Sequence, residues 1–141
     1  MTRGEAAQGC IDRFGGKAFD PKARRDCVRL AAHALHCQGV KCAPLKGLRY
    51  TTLEGGLRAL KKLGFADLLE AVDSLPGLTR IAGARAIAGD IVAMPCDDGP
   101  WGCALSVAVG NGRVFGFYEG VGQVVVPNRI LCAWRVEPCR K

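Results

Sequence analysis

CALSVAVGNGRVFGFY, residues 103–118, is the stretch whose reading decides the fold. Two alternating apolar runs flank Asn111-Gly112, a dipeptide suited to a two-residue hairpin turn, so the stretch reads as a pair of antiparallel strands. Working outward, GDIVAMP (89–95), GQVVVP (122–127) and ILCAWRVEP (130–138) are strand-like as well. The chain before them has a helical period. In RRDCVRLAAHALHC (24–37), Val28, Leu30, Ala31, Ala34 and Leu35 form a stripe at helical spacing, with Asp26 as N-cap and Gly39 as a natural stop. Thr51 and Glu54 form a capping box opening TLEGGLRALKKLG, in which Leu53, Leu57, Leu60 and Leu63 share a face and Gly64 ends the helix. A shorter helix over 66–75 turns Leu68, Leu69 and Val72 inward before Pro76-Gly77. Residues 1–20 carry a weaker pattern through Ala6, Ala7, Cys10, Ile11 and Phe14, broken by Gly15-Gly16. Phe19 is placed to staple the next helix, and residues 38–50 read as a loop.

Helices first and a meander of strands afterwards give an α+β fold, with N-terminal helices packed on a C-terminal antiparallel sheet. One domain spans 1–141, with an arm or short helix over 1–20, a helical half over 21–80 and a sheet half over 84–138. A chain of 141 residues buries about two thirds of its unfolded surface, enough for a real core. Its net charge of +7 suggests an anionic neighbourhood without choosing one. The basic face of Arg58, Lys61 and Lys62 reads as solvated surface. No RNA-binding signature or zinc-finger spacing supports nucleic acid. The N-terminus lacks the apolar core of a signal peptide, and no apolar run reaches the length of a membrane span.

Cys27 behind Asp26 is the candidate site. At a helix start, unpaired backbone amides and the dipole favour a thiolate, and neighbouring Arg24 and Arg25 push the same way. Cys27 thus reads either as a nucleophile or as a small buried hydrophobe closing the first turn. His33 and His36 lie six and nine residues downstream, about 9 Å and 13 Å along a rigid helix, so neither is its base within one subunit. The eight cysteines fall into loose pairs, Cys37/Cys42, Cys96/Cys103 and Cys132/Cys139, none with zinc-ribbon or redox-dithiol spacing. No cofactor is expected; a cysteine-ligated metal or iron–sulfur protein is the minor alternative.

The order of elements resembles the NlpC-type cell-wall cysteine peptidases of the papain-like superfamily. Asp26-Cys27 matches their Asp-Cys helix start, Gly89-Asp90-Ile91-Val92 their Gly-Asp-hydrophobic strand, and ALSVAVGNG (104–112) the strand that begins with the catalytic His. The resemblance implies a papain-like NlpC-type fold over roughly 20–136. It also places Ala104 at the family's His position, with Gln123 or Asn128 as candidates for the residue that would orient the His. Cys103 points to the opposite strand face from residue 104 and does not replace an imidazole. Without an imidazole, the thiol proton has no acceptor and the leaving amine no donor.

A narrower likeness, carried by Ala133-Trp134-Arg135-Val136, is to phage and prophage proteins of unknown function. These are typically encoded among tail genes of long-tailed phages and commonly lack the strand histidine. The likeness implies a structural or assembly component of the phage tail tip on an inactive NlpC-like scaffold. Such a component would be made in the host cytoplasm and carried in the virion, with other tail-tip and hub proteins as partners. The enzyme alternative is a peptidase acting on peptidoglycan with Cys27 as nucleophile and a base from elsewhere. The strand at Val124 to Val126 reads as an edge, open to a partner or simply the border of a small sheet.

Overall fold

A computed structural model describes residues 2–96 and 100–137. Helix α1 (Arg3–Phe14) is longer than its weak pattern suggests, because Thr2 and Glu5 close a reciprocal capping box. Helix α2 (Cys27–Cys37) starts at the expected cap, Asp26. The segment read as a loop over 38–50 contains a helical turn, α3 (Ala43–Lys46), opened with a proline in its first turn. Helix α4 (Leu53–Lys62) is capped by Thr52, one residue later than expected. Its buried positions are Gly56 and Leu60, while Leu63 is 56% exposed. The face of four leucines therefore holds only in part. Helix α5 (Leu68–Asp73) is capped by Asp67 and buries Leu68, Ala71 and Val72.

Six strands follow: β1 (Leu78–Ile81), β2 (Ile91–Pro95), β3 (Cys103–Gly110), β4 (Arg113–Tyr118), β5 (Val121–Val125) and β6 (Cys132–Val136). They form one sheet in the order β1-β6-β2-β3-β4-β5, with every neighbouring pair antiparallel. The α+β class is thus observed. The sheet half begins at 78 rather than 84, because LTRI pairs along β6 from Leu78 opposite Val136 to Ile81 opposite Ala133. The hairpin at Asn111-Gly112 has positive φ at both residues, 56° and 72°, which asparagine and glycine tolerate best. Strand β5 is an edge as expected, with Val124 and Val126 exposed.

Strand alternation sorts the core into two layers. Ile91, Ala93, Cys103, Leu105, Val107, Phe115 and Trp134 pack with α1, α2 and the rest of the helical half. Val92, Ala108, Val114 and Ala133 form a smaller cluster on the other face. Phe19 does not act chiefly as a staple: its ring meets Phe117 of β4 edge-on at 5.7 Å, and its amide donates to Gly120. No helix among the described residues is long and apolar enough to cross a membrane.

Candidate functional site

Asp26 does more than cap α2. Its fully buried carboxylate accepts from the amides of Val28 and Arg29 at 3.0 Å, from Arg29 Nη1 at 2.6 Å, and from the Tyr50 hydroxyl at 3.0 Å on both oxygens. The Arg29 guanidinium carbon lies 3.8 Å from the Tyr50 ring centroid, a close cation–π contact. Tyr50 in turn packs on Trp101, whose Nε1 donates to the Leu53 carbonyl at 2.6 Å. Gly56 makes room for that indole, since a Cβ there would stand 2.5 Å from the Trp101 ring. A cap at the start of α2 is therefore tied through Tyr50 and Trp101 to α4.

Beside this cluster sits Cys27. As a residue it is half-buried, but its sulfur lies deep among protein atoms, and the sulfur is what titrates. Burial pushes the thiol up to about 12; the Leu105 backbone amide, directed at the sulfur, opposes this, while Asp26, Cys103 and Cys96 add to it. The expectation of an acidic thiol is overturned. Desolvation outweighs the helix dipole, and the arginines meant to assist are engaged elsewhere: Arg25 faces Asp20 at 3.9 Å, and Arg24 lines a separate cavity.

Among the described residues, none of the groups around the sulfur is free to take its proton. The Asp26 carboxylate is filled by its donors. The Tyr50 hydroxyl, raised well above its ordinary range chiefly by burial and then by Asp26, gives its own proton to that carboxylate. The chain's two histidines lie further along α2, and His33 Nε2 pairs with Cys37 Sγ at 3.6 Å. Among the described residues, Cys27 has no proton acceptor.

Ala104 is not brought to Cys27. It pairs with Met94, whose side chain packs with the small cluster on the far face, whereas Cys103 and Leu105 face the helices. Cys103 does point away from residue 104, and that direction is toward Cys27. Of the two candidates for an orienting residue, Gln123 donates to the Tyr118 carbonyl on the sheet edge, and Asn128 lies beyond β5. Neither stands on a strand next to β3. Among the described residues, no three His, Cys, Asp or Glu side chains are grouped to hold a metal ion. Cys139, half of one loose cysteine pair, lies outside them.

Two motifs singled out in the sequence prove to be halves of one structure. Asp90, fully buried, accepts from Arg135 Nε at 2.9 Å and Arg3 Nη1 at 3.1 Å, and from the amides of Ile87 and Val136 at 2.9 and 3.1 Å. Arg3 also donates to the Val136 carbonyl, so one carboxylate fastens α1 and β6 to the start of β2. The neighbouring Trp134 is fully buried on β6 opposite Ile91, and its Nε1 donates to Asp73 at 2.8 Å. Gly-Asp-Ile-Val and Ala-Trp-Arg-Val thus belong to one contact that fastens the sheet to α1.

Sequence reasoning missed Tyr50, Arg29 and Trp101, which sit in loops or on the polar side of a helical stripe where periodicity carries no signal. The His33–Cys37 contact was accessible, because residues four apart on a helix are neighbours. No curated protein and no solved structure matches this chain. Residues 3–136 match the family described as Domain of unknown function (DUF6950), and the chain belongs to that family.

Proposed function

We propose that this protein is a structural or assembly component of the tip of a long-tailed phage tail, built on an NlpC-type papain-like scaffold that does not hydrolyse. One observation carries the non-catalytic part: the Cys27 thiol is held protonated, with no proton acceptor among the described residues. Acyl transfer by cysteine needs a thiolate and a group to protonate the leaving amine. The scaffold assignment is supported by a helix-start cysteine set against a strand of an antiparallel sheet, in the element order the resemblance implies. The tail-tip role rests on the likeness of the Ala133–Val136 ending.

Two measurements test the halves separately. Tails purified from a lysogen carrying this gene are expected to contain the chain at stoichiometric amounts. Absence from both virions and tail intermediates overturns the tail role. Purified peptidoglycan incubated with wild type or with Cys27→Ser is expected to release no more peptide than buffer does. Release by wild type that Cys27→Ser abolishes would restore the peptidase reading, with a base supplied from outside this chain.

A further inference from the structure

On the opposite side of α2 from the sheet lies an open cavity of about 270 Å³, and its wall carries a concentration of positive charge. Arg13, Arg24, Arg29, His33, His36 and Lys46 line it, and no acidic side chain does. Asp26 neutralises Arg29, but Arg13, Arg24 and Lys46 have no ion pair among the described residues. Like charges gathered without counter-charge repel one another and cost stability unless an anion offsets them. Arg24 is held in left-handed backbone, φ 63°, a conformation glycine takes freely. An arginine in that strained conformation that also lines a cavity points to a function for its side chain. Arg29 is nine-tenths buried at the cavity wall, and its Nε–H has no acceptor.

We infer that this cavity binds a small phosphate-bearing ligand. Guanidinium forks and an ammonium suit the oxygens of a tetrahedral dianion, and two imidazoles supply further donors. The space exceeds what one phosphate fills, and Phe14, Ala32 and Leu45 provide an apolar wall for the remainder of a small phosphomonoester. His33 is held below its ordinary value by burial, Arg13 and His36, so a bound dianion would reverse part of that effect and draw a proton onto the ring. The site is separate from Cys27 and independent of any hydrolytic chemistry.

The chain contains only two histidines and both line the cavity, so their imidazole proton resonances report on it directly. Titrating inorganic phosphate into the full chain at fixed pH and ionic strength is expected to shift both resonances saturably and to raise the titration midpoint of His33. Lys46→Gln and Arg24→Gly should each weaken the apparent affinity at least fivefold, with Arg24→Gly leaving the melting temperature equal or higher because glycine relieves the backbone. Arg113→Gln, on the distant β-hairpin, should change nothing. Phenyl phosphate binding more tightly than phosphate adds the apolar wall to the site, and equal binding confines recognition to the phosphate itself. The inference is overturned if chloride at matched ionic strength reproduces the shifts, or if Lys46→Gln and Arg24→Gly both bind as wild type.

Discussion

Asp26 and Asp90 are both fully buried, and each accepts from arginine and from backbone amides. Only Asp26 stands beside a candidate nucleophile. Asp90 gathers the nearby Ile87 amide and two distant segments, through Arg3 and the Arg135-Val136 pair, and its arginines keep 33% and 25% of their side-chain surface in water. Asp26 gathers a local cap plus Tyr50, and its arginine keeps 9%. Despite those differences the two sites have the same chemistry: a buried carboxylate that accepts from both arginine and backbone N–H donors. The Asp26-Cys27 dipeptide therefore needs no catalytic explanation for its aspartate.

The difference in solvent access sets the order of mutational effects. Asp26→Ala strands an arginine that cannot reach water and removes the cap of α2. It should cost about 4 kcal/mol, a large share of the roughly 5–15 kcal/mol that holds a domain folded. Asp90→Ala frees two arginines that can swing into solvent, so its loss should be smaller, about 2–3 kcal/mol. Denaturant midpoints for the two variants check this ranking, and the reverse order would mean that joining segments matters more than burying the charge. Tyr50→Phe removes one hydrogen bond to a charged group and keeps the stacking on Trp101 and Arg29, which should cost about 1.5 kcal/mol in the same titration. Ala104→His is the mildest. With residue 104 facing Met94, the imidazole stays on the far side of the sheet, and Cys27 reactivity at neutral pH should match wild type within about twofold.

How far the sequence carried the reading depended on what kind of signal each element leaves. The hairpin at Asn111-Gly112 and the helix behind Asp26 were legible because turn chemistry, capping and periodicity are local. Strand β1 was not, because four residues of an edge strand, LTRI, leave too short an alternation, and its partner β6 lies more than fifty residues away. Thr52 displaced Thr51 as the cap of α4 because the helix began one residue later, which neighbouring threonines do not distinguish. The site failed for another reason. The helix start and two adjacent arginines are visible in sequence, but the desolvation that overrides them arises only when β3 is laid over the sulfur. Likewise residue 104 could be aligned, while the strand face it occupies followed from pairing with β2.

Whether Cys27 is a buried and protonated thiol can be read from its alkylation rate as a function of pH. Iodoacetamide labelling of the folded wild-type chain, resolved site by site by mass spectrometry, separates Cys27 from the other seven cysteines. A thiol whose pKa is raised by folding contributes no appreciable thiolate at neutral pH and gains reactivity only as pH climbs toward the folded value of about 12. The expected result is that Cys27 labels more slowly than an unfolded control throughout the neutral range and is still accelerating at pH 10. Rapid labelling that has already reached a plateau between pH 6 and 8 would reveal a stabilised thiolate and contradict it.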